Sequence, residues 1–322
     1  MEISCALPPG PNVVEHTRVA EQLGYARAWI YDSPALYPDV WVTVLRIFER
    51  TSRIAVGPGV LVPSLRHVVA QASAIATLEQ LAPGRLVVAI GTGFTGRMTM
   101  GQPALRWSFV EAYIRQLRAL LRGEAVEVDG AFARLLHPPG FAPPFPIRTP
   151  ILVAANGPKG LAVARELGDG VVCVNQPQAG FSWCALLTLG TVLDEGEDAS
   201  SERALAAAGP GLTVAYHGTY EIGGAAAVDG LLGGAEWRAR IEAVPANERH
   251  LALHELHLVG VTERDRPLLN GEMLKTFTWT GSASEIRDRL AQAEAHGATE
   301  IMYAPMGPNV ARELEAFKRA AS

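Results

Sequence analysis

Three cysteines in 322 residues, none of them in a CxxC pair, exclude a disulfide scaffold and leave no thiolate zinc site. Cys5, Cys173 and Cys184 read instead as reduced, mostly buried thiols. Charge is sparse too, at 19% of residues with a formal net of −5, and no basic run or interleaved aromatic stripe marks a nucleic-acid surface. No apolar run approaches the roughly 18 residues of a membrane span. The opening MEISCALPPG has neither the charged nor the apolar region of a signal peptide, so the expected location is cytoplasmic with no membrane partner. No G-x-G-x-x-G follows the first apolar strand, which weakens a dinucleotide-binding fold.

What remains is a chain that is 48% hydrophobic, enough for a large core. Length alone would suggest two domains at about 150 residues each, but α/β barrels of more than about 250 residues fold as one unit, and one domain over residues 1–322 is preferred. Short apolar strands alternate with helical patterns: Ile3–Leu7, helix Val13–Leu23, Ala28–Tyr31, helix Val40–Glu49, Ile54–Val62, helix Val68–Leu81, Leu86–Ile90, helix Trp107–Leu121. A small hairpin turning at Asp129-Gly130 follows, then an irregular proline-rich stretch from Pro138 to Pro150. The alternation resumes with strand Ile151–Ala154, helix Pro158–Leu167, strand Val171–Val174, and closes with helix Ala283–His296, strand Glu300–Tyr303 and helix Val310–Ala320. Such alternation means parallel strands covered by helices. We read it as a (β/α)8 TIM barrel, with Leu212–Tyr216 as the seventh strand and an inserted helical segment before the last.

The stretch Arg53–His67, RIAVGPGVLVPSLRH, is the most informative. Its apolar strand is interrupted by Gly57, Pro58 and Gly59 and stopped by Pro63. Glycine inside a buried strand marks either a bulge where a ligand or another backbone comes close, or an ordinary bend.

Taken with EHTRVAEQLGYARAWIYDS before it, HVVAQASAIATLEQLAPGRLVVAIGTG after it and ILVAANGPKGLAVARELGDGVVCV further on, this stretch resembles the bacterial-luciferase-like superfamily, and within it the branch that uses the deazaflavin coenzyme F420. The resemblance covers residues 1 to 175 and 280 to 320. It implies a barrel that binds a flavin or deazaflavin at the carboxyl ends of its strands. It also implies a non-prolyl cis peptide at Gly59-Val60, behind the ring. Asp32, at the end of the second strand, then faces cofactor or substrate as a candidate catalytic group, or else caps the next loop. Gly91, Thr92 and Gly93 match the family's cofactor-contacting turn. Asn156, Gly157 and Pro158 open a helix whose free N–H groups suit a phosphate tail, with Val174 at the neighbouring strand end.

In the family's sugar-phosphate dehydrogenases an acid follows the GTG turn and a histidine follows the strand-two aspartate; here those positions are Phe94 and Ser33, which argues against sugar-phosphate oxidation. Phe94 suits an apolar substrate wall or plain packing. In RHLALHELH, a helix would place His250, His254 and His257 on one face. Cysteine partners are absent and Glu255 lies off that face, so no metal is expected. The histidines fit a proton-donating, substrate-facing cluster, with His254 and His257 catalytic and His250 binding substrate, or else a solvated or buried structural group. Arg66 and His67 begin the third helix as a candidate contact to ring or phosphate. Trp279 is a stacking platform or a packing residue.

The expected function is hydride transfer between coenzyme F420 and a small, apolar organic substrate. An FMN-dependent monooxygenase and a non-catalytic flavin- or deazaflavin-binding protein are the alternatives. The family resemblance implies a homodimer.

Overall fold

The computed structural model describes residues 1–322. In chain order the elements are β1 (Glu2–Leu7), α1 (Val13–Gln22), β2 (Arg27–Ile30), α2 (Val40–Phe48), β3 (Ala55–Leu61), α3 (Val68–Leu81), β4 (Val88–Ile90), α4 (Phe94–Met98) and α5 (Trp107–Leu121). A hairpin of β5 (Val126–Val128) and β6 (Ala131–Ala133) follows, then β7 (Ile151–Ala154), α6 (Pro158–Leu167), β8 (Gly170–Val174) and β9 (Cys184–Leu189). The chain ends with α7 (Glu202–Asp229), α8 (Gly234–Glu242), α9 (Arg249–Leu253), α10 (Gly271–Phe277), α11 (Ala283–Ala295), β10 (Glu300–Ala304) and α12 (Val310–Ala320).

Eight of the strands close a parallel barrel in the order β1-β10-β9-β8-β7-β4-β3-β2. This is the expected TIM-barrel architecture. Its strands are buried on both faces, as their predominantly apolar sequences require: one set of side chains packs under the helices, and Ala6, Trp29, Ala89, Leu152, Val172, Ala185 and Met302 fill the interior. The helix starts are written in polar residues. Asp39 accepts the Trp41 and Val42 N–H groups at the start of α2, and Ser282 with Glu285 forms a reciprocal capping box on α11. The hairpin turns at Asp129 and Gly130, both with positive φ. No helix is long and apolar enough to cross a membrane.

The seventh strand is a correction. It is β9, which follows β8 closely, while Leu212–Tyr216 lies inside α7. The run LTVAY is apolar and β-branched enough for a strand, and periodicity cannot separate a short buried strand from a buried helix. Here the helix is buried on two sides. Leu212 and Tyr216, one turn apart, pack with Trp237, Ile241, Leu253 and Leu274 in a second core that belongs to the inserted segment. On the other side a side chain at Gly211 would collide with Leu189 and Met306 at the barrel rim. The insertion, α7 to α10, is helical as expected. It is fastened over the barrel by the Tyr37 hydroxyl, which donates to the His257 carbonyl, and by the His250 ring, which lies against Gly101.

Candidate active site

Motifs far apart in sequence come together along one arc of the rim. Asp32 follows β2, the Gly59-Val60 peptide lies in β3, Gly91 to Gly93 follow β4, Asn156 to Pro158 follow β7, and Val174 ends β8. These are five consecutive strands of the barrel. The Gly59-Val60 bond is cis, and the β3–β4 register shifts between Gly59 and Leu61, so the expected bulge is present. Gly91 allows the arc to close, because a Cβ there would meet Val60 Cγ2 at 2.9 Å and the Ala154 Cβ at 3.3 Å. Gly93 has φ 77°, the left-handed region that a side chain disfavours.

The strand-three glycines have different reasons. A Cβ on Gly57 would lie 1.5 Å from the Val87 carbonyl oxygen, a contact with the backbone just before β4. A Cβ on Gly59 would run into the Trp29 side chain at 3.0 Å, inside the barrel. The close approach at Gly59 is therefore made by an indole of the protein's own core. Trp29 was not singled out in the sequence, although a tryptophan on an inward strand position facing a glycine was the available signal.

Asp32 is buried and fully engaged. Arg66 donates from Nη1 to both of its oxygens, at 2.9 and 2.8 Å, and from Nη2 to Asp39 at 2.7 Å. Burial raises the Asp32 pKa above the ordinary carboxylate value, with the Arg66 charge and hydrogen bond opposing it. Arg66 thus serves the rim through Asp32. His67 caps α3 with its ring nitrogen and faces solvent and Asp129.

At the start of α6, Asn156 accepts the Val174 N–H at 2.9 Å and ties two strand ends together. Asn156, Gly157, Pro158 and Lys159 are exposed, and the space around Gly157 is open. Proline at the first helical position leaves the next N–H groups unpaired, with a lysine beside them. That donor set fits an anionic cofactor tail. Phe94, which starts α4, is partly exposed on the same side.

The histidines require a correction. They do not share a helical face, because α9 ends at Leu253, and Leu256 and Leu258 take positive φ. His254 is buried and pairs with Glu221 at 2.9 Å, and its ring lies 5.4 Å from that of His257. His217, which sequence reasoning missed, stacks on Trp237 and approaches Asp265 at 3.3 Å. These three histidines form a buried polar cluster inside the insertion, and His250 stands apart at Gly101. Neither His254 nor His257 lines a cavity of about 1130 Å³ beside the insertion; of the expected site residues only Val174 and Trp279 do.

With this geometry in place, the family can be stated. The chain belongs to the luciferase-like monooxygenase family, whose sequence profile matches residues 4–300. It is 33% identical over 169 residues to the 5,10-methylenetetrahydromethanopterin reductase of Archaeoglobus fulgidus, covering 49% of this chain and 47% of that protein. It is 31% identical over 183 residues to the F420-dependent glucose-6-phosphate dehydrogenase of Beutenbergia cavernae, covering 51% and 52%. The chain thus spans about half the length of the curated relatives it matches. The solved coenzyme F420-dependent tetrahydromethanopterin reductase of Methanopyrus kandleri superposes with a TM-score of 0.70 at 18% identity, over 99% of this chain and 97% of that one, a likeness of fold.

Two outcomes follow from the electrostatics. Arg66→Met leaves Asp32 as an unpaired buried carboxylate, costing on the order of 3 kcal/mol at pH 7. Asp32 then titrates still higher, so the variant should recover part of that loss between pH 7 and pH 5 in urea melts, whereas a parent-like stability would contradict the pairing. Burial, with the nearby His254 and His217 charges, pushes the His257 pKa down to about 3. The unfolded chain takes up that proton near 6.5 and the folded chain does not, so stability falls as pH drops from about 6.5 to about 3, by at most about 4 kcal/mol. In His257→Gln that part of the acid slope should vanish; an unchanged slope in melts at pH 7 and pH 4 would contradict it.

Proposed function

We propose that this protein is an F420-linked oxidoreductase acting on a small organic substrate at the carboxyl-terminal mouth of the barrel. The observation that carries the reading is the convergence of the bulged Gly59-Val60 peptide, the Gly91–Gly93 turn and the open Asn156–Lys159 helix start on adjacent strand ends. The relatives named F420-dependent support it, as do the residues themselves: a flat floor of backbone at β3, a turn without side chains at β4, and a cationic, donor-rich end at α6. Gly59, Val60, Gly91, Thr92 and Gly93 would hold the ring system, and Asn156, Gly157, Pro158 and Lys159 its anionic tail. When bound, a deazaflavin accepts or donates a hydride, and orientation and exclusion of water are left to the protein.

In the same reading Asp32 holds a proton at the rim more readily than a free carboxylate does, and Arg66 fixes its orientation. His254 braces the insertion internally through Glu221, and the His257 carbonyl ties the insertion to Tyr37 over the mouth. Phe94 gives the substrate side an apolar wall, and Phe94 with Ser33 keeps sugar phosphates outside the proposal. A cytoplasmic location and a homodimer belong to the proposal as well; three buried free thiols suit a reducing compartment, and the exposed Val42 of α2 offers apolar surface for a partner.

Titration of the purified protein with each cofactor tests the reading. Quenching of deazaflavin fluorescence should show F420 binding at least about tenfold tighter than FMN. Asn156→Leu should weaken F420 about tenfold with circular dichroism unchanged, through loss of the Val174 tie and of a polar group at the tail. Tighter binding of FMN would move the protein to the monooxygenase reading. Binding of F420 without turnover of carbonyl, imine or activated-alkene substrates would favour a carrier role.

A further inference from the structure

Parallel strands are normally joined by a crossover of a dozen or more residues, most often a helix. Every other connection between successive strands of this barrel carries one. The connection between β8 and β9, Asn175 to Trp183, carries none. The outer face of β9 therefore lacks its covering helix, and the cavity of about 1130 Å³ lies over it.

Ala185, Leu187 and Leu189 point into the barrel, so Leu186 and Thr188 point outward and form the floor of this cavity. Ala215 and Ile222 of α7 line it from one side, and Lys275 of α10 and Arg289 of α11 from another. Three features indicate what it holds. The hydroxyl of Thr188 is buried, only 4% of the residue being exposed, and its oxygen has no hydrogen-bond partner. Such orphans are uncommon and mark a missing partner. No aspartate or glutamate lines the cavity, whereas Lys275, Arg289 and His296 do. Arg289 donates to the Thr278 and Lys275 carbonyls, at 2.6 and 3.3 Å, and forms no direct ion pair, while Lys275 approaches Glu285 at 3.8 Å from outside the cavity lining. The remaining walls are largely apolar.

We propose that this cavity is a binding site for an anionic amphiphile, a molecule with an apolar body and a carboxylate-like head, seated where the missing helix would pack. The body lies on Leu186, Ala215 and Ile222, Thr188 supplies a hydrogen bond at the floor, and Arg289 and Lys275 supply the charge. The site stands outside the strand wall and meets the rim along one edge, at Val174 to Pro177, Leu189 and Gly211. It does not depend on the cofactor reading.

The test uses the full chain and the fluorescent probe 1-anilinonaphthalene-8-sulfonate, with decanoate and 1-decanol as competitors. The probe should bind saturably, and decanoate should displace it about tenfold more effectively than decanol, as expected for a charge-assisted contact. Thr188→Val and Lys275→Gln should each weaken decanoate several-fold with an unchanged melting temperature. Ala215→Trp, which fills the cavity from an incompletely buried helix position, should abolish displaceable binding while circular dichroism and F420 titration stay at parent values. Equal competition by decanol, parent-like affinity in Ala215→Trp, or no saturable probe binding would overturn the proposal.

Discussion

Glu300 is completely buried in the barrel and accepts three hydrogen bonds: from Trp29 Nε1 at 2.8 Å, Trp183 Nε1 at 2.7 Å and Arg27 Nη1 at 2.8 Å. A buried carboxylate is tolerated only when paired and saturated with donors in this way. The result is a fixed indole. Trp29 cannot slide along the barrel axis while its nitrogen is held, and its ring occupies the space that a side chain at residue 59 would need. The bulge in β3 rests on that ring, Val60 beside it touches the space over Gly91, and Gly91 in turn sits against Ala154. The backbone surface of the rim is thus set from below by one tryptophan hydrogen-bonded to a buried carboxylate.

The insertion works on the rim from above. Its own core around Trp237 and Tyr216 makes it a rigid body, and the buried charges of Asp265 and Glu221 are matched by Trp237, Thr262, His217 and His254. It is tied to the barrel at both edges: at the start of α7 Arg203 pairs with Glu313 and donates to Thr191 and Val192, and further along Tyr37 reaches the His257 carbonyl, the His250 ring lies on Gly101 and Gly211 meets Leu189 and Met306. A well-packed cap held at defined points suits a site that must exclude water.

The strands and helices of the first half were legible because each strand is a short apolar run bounded by glycine, proline or a capping residue, as in Leu81-Ala82-Pro83-Gly84 or Asp39 before Val40. The arc of candidate residues was legible for a related reason: a backbone neighbour at Gly57, side-chain neighbours at Gly59 and Gly91, and a positive φ at Gly93 each leave no room for a side chain. Legibility failed between residues 176 and 280. The helix that ordinarily separates the sixth and seventh strands is absent, so CALLTL arrived without punctuation, and LTVAY in α7 imitated the missing strand. The histidine cluster was misread because the backbone breaks at Leu256 and Leu258, where no glycine or proline announces it. The partner carboxylates, Glu221 and Asp265, lie on other elements and cannot be paired with histidines from spacing alone.

The central claim is that five adjacent strand ends, β2, β3, β4, β7 and β8, form one cofactor-binding arc. Hydrogen exchange with and without saturating F420 tests it most directly, because it reads the backbone of every element at once. The account predicts slower exchange at residues 57–62, 91–97 and 156–162, with the outer face of β9 unchanged. Protection confined to the insertion or to the β9 face, or no protection at residues 57–62, would contradict it.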